Sequence, residues 1–254
     1  MALTYADRMY DVHCHIDVLQ AVPNQIRGLI SSGIKPSSWV VNLERARQWP
    51  INICLGVHPF FVEETTLDDL NRLSELVSNP FVVAIGEIGL DYHKQSTVDR
   101  DCQIGAFQRQ LRLACSLNLP VIIHCRKAFD DLWPLLEAFE PTGVIFHGFS
   151  GSVGDLNRAI DRGDFISFGF PITYDDNKKQ RTYLADTPLD RIMLETDSPY
   201  MKRYGFETST PDDVRFVYGS AAAIKGIPLI EMISSVRENV RRLWPALREI
   251  RDYP

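Results

Sequence analysis

The stretch Asp11-Val-His-Cys-His-Ile-Asp17 ends a short apolar run that begins at Met9. Its histidines, His13 and His15, are two residues apart, and side chains at that spacing share one face of a β-strand. Both imidazoles can therefore reach one cation at the distance of about 2.0 Å that a histidine nitrogen prefers. A pair of hydrogen-bonded histidines closing a strand is the alternative. Only further ligands elsewhere in the chain distinguish the two.

Strand-like and helix-like segments alternate along the rest of the chain. Strands are predicted at 9–15, 39–43, 51–57, 81–85, 121–123, 144–146, 165–168 and 192–194, and helices at 18–31, 44–48, 67–77, 99–117, 129–139, 153–162, 178–185, 212–225 and 229–244. Most of the strand-like runs are continuously apolar, which is typical of parallel strands covered on both faces. The pattern predicts an α/β fold, a distorted TIM (β/α)8 barrel, as a single domain over residues 1–254.

Composition limits the classes of protein to consider. The formal charge of −6 argues against a surface that coats nucleic acid non-specifically, although a nucleic-acid substrate remains compatible with it. Five scattered cysteines without C-x-x-C spacing predict reduced thiols and a cytoplasmic location. No apolar run approaches the roughly 20 residues of a membrane span, so we expect no membrane association.

Polar side chains able to hold a metal follow the predicted strands, where barrel enzymes assemble their active sites. Five of the six histidines fall at such ends, and His93 is the exception. Separate structural reasons for each buried histidine are a less economical explanation than a shared metal site. The residues at these positions are His13, His15, His58, Glu87, His124, His147 and Asp197.

Six motifs resemble, in order, those of the TatD family of metal-dependent deoxyribonucleases, within the amidohydrolase superfamily. They span nearly the whole chain, and Asn239 near its end also resembles the family's C-terminal helix. The motifs are Asp11-Val-His-Cys-His-Ile-Asp17, Gly56-Val-His-Pro59, Gly86-Glu-Ile-Gly-Leu-Asp-Tyr92, Pro120-Val-Ile-Ile-His-Cys-Arg126, His147-Gly-Phe-Ser-Gly151 and Leu194-Glu-Thr-Asp-Ser-Pro-Tyr200.

The resemblance implies two divalent metal cations, with magnesium or manganese for activity and zinc as a further possibility. One ion would be held by His13, His15, Glu87 and Asp197, and the other by Glu87, His124 and His147. Asp197 and Glu87 would be the catalytic residues, and His58 and Arg126 would bind the substrate phosphate.

Several of these roles have structural alternatives. Glu87 could cap the turn between Gly86 and Gly89, and Arg126 could pair with a neighbouring acid. Asp91 could orient a ligand histidine or form a turn. Glu195 is expected to point away from the site. Phe60 and Phe61 could stack a base or form a local cluster.

The resemblance implies cleavage of phosphodiester bonds in DNA, as a 3′-5′ exonuclease that prefers single strands. Two alternatives are an amidohydrolase or lactonase acting on a small molecule, and a TatD-like component of a bacterial anti-phage defence complex, whose protein partners the sequence does not identify. The chain departs from the family pattern in a shortened region between His15 and His58 and in residues 201–210. Both departures fall in loops expected at the rim of the active site, so they affect the choice of substrate more than the chemistry.

Overall fold

Eight parallel strands pair in chain order in the computed structural model, which describes residues 9–19, 26, 28–245 and 247. The strands are β1 (Tyr10–Cys14), β2 (Gly28–Gly33), β3 (Ile51–Leu55), β4 (Val82–Asp91), β5 (Val121–Arg126), β6 (Val144–Phe146), β7 (Phe165–Phe168) and β8 (Ile192–Leu194). The α-helices within these residues are α1 (Pro36–Gln48), α2 (Leu67–Leu76), α3 (Arg100–Leu117), α4 (Phe129–Phe139), α5 (Val153–Arg162), α6 (Lys178–Asp186), α7 (Val214–Lys225) and α8 (Leu229–Leu243).

The sheet is nearly closed between its first and last strands. Just beyond the end of β8, the Asp197 amide donates to the His13 carbonyl at 2.9 Å, and the His15 amide donates to the Ser198 carbonyl at 2.7 Å. These bonds bring the carboxyl ends of β1 and β8 together. The prediction of a distorted (β/α)8 barrel in a single domain is confirmed.

The second strand–helix unit differs from its prediction. The predicted helix at 18–31 is wrong over its last residues, because Gly28–Gly33 is β2; residues 20–25 and 27 lie outside the described part of the chain. The predicted strand at 39–43 is also wrong, since it lies inside α1 and residues 44–48 form the end of that helix. Trp39, Leu43 and Ala46 are buried at helical spacing.

The composition of β2 explains why the sequence pattern did not predict a strand there. Its sequence, Gly-Leu-Ile-Ser-Ser-Gly, is poor in the β-branched and aromatic residues that mark strands. Tertiary packing nevertheless favours it, because a Cβ on Gly28 would lie only 2.5 Å from the Tyr10 ring of β1. From Leu29 to Gly33, the strand pairs in unbroken parallel register with β3. Small residues occur in β2 because the neighbouring strands approach it closely, and not because these residues have a high β-strand propensity.

Local capping fixes where several helices begin. Thr66 and Ser152 each accept a hydrogen bond from the amide three residues on, and the aspartates there, Asp69 and Asp155, bond back to the cap residues. Such capping boxes satisfy amides that have no partner inside the helix. The helices thus start just after the loops at the carboxyl ends of β3 and β6, and those loops carry His58 and His147.

The described residues contain no single helix with the length and apolar composition needed to cross a membrane. Residues Pro211–Lys225 and Leu229–Leu243 reach that length and apolar composition only together, and the chain bends by 107° between them.

Candidate metal centre

Seven polar side chains from the carboxyl ends of six strands converge at one end of the barrel. His13, Glu87 and His124 lie within β1, β4 and β5, whereas His15, His58, His147 and Asp197 follow β1, β3, β6 and β8. These residues form three overlapping groups, and within each group the potential ligand atoms lie within 4.8 Å of one another. The groups are His13, His147 and Asp197; His13, His15 and Glu87; and His58, Glu87 and His124. The structure therefore brings together all six residues predicted as metal ligands, with His58 beside them.

Glu87 lies between two pairs of imidazoles. Its Oε2 atom is 3.4 Å from His13 Nε2 and 3.8 Å from His15 Nε2. Its Oε1 atom is 2.8 Å from His124 Nδ1 and 3.5 Å from His147 Nε2. Both oxygens of the buried carboxylate thus face imidazoles: Oε2 faces the β1 pair, and Oε1 faces the other pair and also His58 Nε2 at 3.5 Å. This geometry could place one oxygen on each of two cations.

Asp197 approaches the first imidazole pair from the loop after β8. Its Oδ1 atom is 3.2 Å from His15 Nε2 and 3.7 Å from His13 Nε2. The residue has a φ of 54°, a left-handed conformation that aspartate adopts more readily than most residues. The preceding Thr196 is anchored to Asp11 of β1, to which it donates from its amide at 3.0 Å and from its hydroxyl at 2.6 Å. The buried hydrogen bonds between Thr196 and Asp11 therefore fix the position of Asp197.

Ser32 of β2 holds the far side of both β1 histidines. Its hydroxyl lies 3.0 Å from His13 Nδ1, and its carbonyl accepts a hydrogen bond from His15 Nδ1 at 3.1 Å. The Nε2 atoms of both rings then face the carboxylates. His13 Nε2 is buried without a hydrogen-bond partner, and its lone pair could instead coordinate a cation. These donor atoms thus fit a metal ion. Strand β2, which the sequence did not predict, supports the site by holding both histidines through Ser32.

Two carboxylates hold the other imidazole pair. Asp91 Oδ2 accepts from His124 Nε2 at 2.9 Å, and its Oδ1 accepts from the His93 amide at 2.8 Å, so Asp91 both orients a histidine and forms a turn. Glu195 Oε1 accepts from His147 Nδ1 and from the Gly148 amide, each at 2.9 Å. The expectation that Glu195 points away from the site is therefore wrong. Such outer partners fix the orientation of ligand histidines.

Protonation balances charge among these groups when no cation is bound. Burial disfavours a charged His147, but Glu195 and Glu87 outweigh it and raise its pKa to about 10. Burial likewise opposes ionisation of Glu87, yet His58, His147 and His13 hold its pKa well below its ordinary value. Burial and the neighbouring His147 lower the pKa of His13. Cations would displace the protons, because metals bind neutral imidazole.

His58 differs from His15 in the role of its Nδ1 atom, which accepts a hydrogen bond, whereas His15 Nδ1 donates to a carbonyl. The His58 Nδ1 atom accepts from the Phe60 amide at 3.1 Å, and burial and His124 lower the pKa of His58 to about 3. The neutral ring therefore carries its proton on Nε2, which faces Glu87 Oε1 at 3.5 Å. A protonated nitrogen donates hydrogen bonds and does not ligate a metal. His58 is thus suited to contact a substrate oxygen.

Arg126 has an acidic partner as well as access to solvent. Its guanidinium lies 3.7 Å from Asp91 Oδ2, and its side chain is 41% exposed. It lines the cavity that also contains His124, His147 and Asp197. Although Arg126 is paired with Asp91, its guanidinium is exposed enough to contact a ligand in that cavity as well.

Comparison with known proteins shows the family to which this chain belongs. The family model for TatD related DNase matches residues 10–245. The chain belongs to the TatD family. It is 31% identical over 252 residues to the uncharacterized metal-dependent hydrolase YabD of Bacillus subtilis (strain 168), covering 93% of this chain and 98% of that protein.

Two further TatD relatives are similar over most of their length. The 3′-5′ ssDNA/RNA exonuclease TatD of Erwinia tasmaniensis (strain DSM 17950 / CFBP 7177 / CIP 109463 / NCPPB 4357 / Et1/99) is 29% identical over 231 residues, with 86% of this chain and 88% of that protein covered. The crystal structure of YjjV, a TatD homologue from Escherichia coli K12, superposes with a TM-score of 0.86 at 29% identity, over 95% and 99% of the two chains. This TatD family protein is a metal-dependent hydrolase of the TatD nuclease type.

Proposed function

We propose that this TatD family protein uses two divalent cations to hydrolyse phosphodiester bonds in DNA, removing nucleotides from the 3′ end of single strands. The observation that carries the proposal is the division of Glu87 between two imidazole pairs. One cation would be held by His13, His15, Glu87 and Asp197, and the other by Glu87, His124 and His147. Imidazole suits zinc, whereas carboxylate ligands suit magnesium or manganese, so the metal bound and the metal best for turnover can differ.

The cations would supply Lewis acidity, lowering the pKa of water and offsetting charge on the phosphate. Asp197 would accept the proton of the attacking water and pass it to the leaving oxygen. Burial opposes ionisation of Asp197, but His15 outweighs it and keeps its pKa below the ordinary value, so the carboxylate is charged at neutral pH. The Nε2 proton of His58 and the guanidinium of Arg126 would contact the non-bridging oxygens.

Exposed aromatic rings beside the metal centre favour an unpaired substrate. Phe60 is 36% exposed with its ring 4.8 Å from that of His58, and Tyr200 is 57% exposed with its ring 4.8 Å from that of His15. Unpaired bases can stack on such rings without regard to sequence. The net charge of −6 gives the surface little with which to hold a long duplex.

End-labelled single-stranded DNA of one length tests the proposal. With magnesium or manganese, shortening from the 3′ end is expected, and chelator should abolish it. Asp197→Asn should digest the strand on the order of 10²–10⁴-fold more slowly, while Asp176→Asn, an exposed change in the loop before α6, should behave as wild type. RNA of the same sequence is the necessary comparison, because the Erwinia relative is named for both substrates. Faster digestion of RNA, attack from the 5′ end or equal nicking of closed circles would contradict the proposal.

A further inference from the structure

An open cleft of about 610 Å³ lies beside the metal centre. Arg126 and Ser150 line this cleft, and both also line the cavity that contains His124, His147 and Asp197. The two spaces therefore adjoin. We call the first one the side cleft. Its walls come from the loop after β4, the end of β5, the start of α4, the loop before α5 with the first turn of that helix, and the first turn of α6.

Three cationic side chains line the side cleft. Lys127 follows Arg126 directly, and Lys179 faces them from α6. The Lys179 ammonium donates to the Ser150 carbonyl at 3.3 Å and lies 5.3 Å from the Tyr183 ring, which positions its charge at the cleft wall. Within the described part of the chain, neither Lys127 nor Lys179 forms an ion pair with a carboxylate. Their charges are available to a ligand.

The carboxylates in the lining offset these charges only in part. Asp155 accepts hydrogen bonds from the amide and hydroxyl of Ser152 through Oδ2, and from Trp133 Nε1 through Oδ1, so its charge is already solvated by the protein. Asp130 is exposed at the start of α4 and is the other carboxylate of the lining. Arg126 is already paired with Asp91, so the comparison is between Lys127 and Lys179, which form no ion pair among the described residues, and one unengaged carboxylate, Asp130; this balance favours an anionic ligand.

We propose that the side cleft binds the phosphate next along the strand from the scissile phosphodiester, through Lys127 and Lys179. The inference rests on the proposed function and adds a chain-length preference to it. A strand whose reacting phosphate lies at the metal centre must leave that cavity, and the side cleft is an open, cationic exit that adjoins it. A substrate with only one phosphodiester cannot use this contact.

Short thymidine oligomers separate the two contacts. We would measure kcat/KM for TpT, which has one phosphodiester, and for TpTpT, which has two, and expect wild type to prefer TpTpT. Lys179→Gln removes the charge at similar length and should lower kcat/KM for TpTpT by about 2- to 5-fold, the range of a solvent-exposed charge contact. It should leave TpT unchanged. Lys178→Gln, one residue earlier and outside the cleft lining, is the matched control, and Lys179→Arg should restore the preference.

Salt and a neighbouring acid give independent readouts. The dependence of log kcat/KM on log salt concentration for TpTpT should become shallower in Lys179→Gln, because salt screens the charge contact that this variant has lost. Asp130→Asn should raise kcat/KM for TpTpT alone, because it removes a repulsive charge. A terminally phosphorylated dinucleotide, pTpT, tests whether an end phosphate suffices; acceleration of pTpT without acceleration of TpTpT would overturn the assignment to an internal phosphate.

The outcomes separate this inference from the proposed function. A wild-type protein that cleaves none of these substrates with either metal would overturn the proposed function. Cleavage of TpT with no advantage for TpTpT would overturn only the side-cleft assignment, as would equal loss on both substrates in Lys179→Gln.

Discussion

Neutralising Asp197 by Asp197→Asn tests the centre of the proposed mechanism. The change keeps the shape of the side chain and one oxygen but removes the charge that faces His15 Nε2 at 3.2 Å and His13 Nε2 at 3.7 Å. Loss of a general base should lower turnover on the order of 10²–10⁴-fold. Loss of a charged ligand should weaken metal binding by at least the roughly 10- to 100-fold that loss of an outer partner costs.

The stability of the metal-free variant follows from the same contacts. Repulsion between Asp197 and Glu87 alone would predict a gain. The structure predicts a loss instead, because His15 outweighs burial and holds the pKa of Asp197 below its ordinary value of 3.8. A lowered carboxyl pKa contributes stability above the unfolded-state pKa, and this contribution disappears as acid protonates the group. We expect about 1.5–3 kcal/mol of destabilisation at neutral pH, the range for a hydrogen bond to a charged group.

Thermal unfolding with and without metal measures both effects. At a metal concentration 100 times the wild-type Kd, wild type gains about 2.7 kcal/mol, whereas 10- to 100-fold weaker binding leaves the variant about 0.4–1.4 kcal/mol. At about 2–4 °C per kcal/mol, the rise in Tm should be about 5–11 °C for wild type and about 1–6 °C for the variant. Asp176→Asn should match wild type. Near wild-type turnover together with a full metal-induced rise in Asp197→Asn would refute both roles given to this residue.

Four other predictions test the residues that support the site. Glu195→Gln should weaken metal binding by about 10- to 100-fold, measured by calorimetric titration, because the carboxylate orients His147; unchanged affinity would mean that this contact only stabilises the fold. With a pKa of about 10 for His147, metal binding below that pH displaces a proton, so affinity should rise by up to about tenfold per pH unit. The raised pKa also stabilises the metal-free protein below pH 6.5, and this contribution should be lost as the pH rises toward 10; urea unfolding across that range measures it, and a flat profile would contradict it. Gly28→Ala should cost about 1–3 kcal/mol in urea unfolding, because its Cβ would lie 2.5 Å from the Tyr10 ring; a neutral result would show that the ring moves aside.

The fold could be predicted from sequence wherever local pattern and tertiary environment agree. Continuous apolar runs such as Val121-Ile-Ile123 are both strand-forming by composition and buried on both faces of the barrel. The unit between β1 and β3 failed because the two signals conflict there. Val40 and Val41 favour a strand locally but belong to α1, while the glycines and serines of β2 form a strand only because neighbouring strands pack close to them.

The sequence by itself determined which residue types stand at the carboxyl ends of the strands, and a parallel barrel brings those ends to one face. Convergence of His13, His124 and Asp197 could therefore be predicted. Only the tertiary structure decided which atom of each side chain faces which neighbour. Three features depend on differences of a few tenths of an ångström in the distances between residues far apart in sequence: the separate orientation of the two Glu87 oxygens, the inward position of Glu195 and the proton on His58 Nε2. Spacing along a chain carries no information at that scale, because backbone closure and side-chain packing set it jointly.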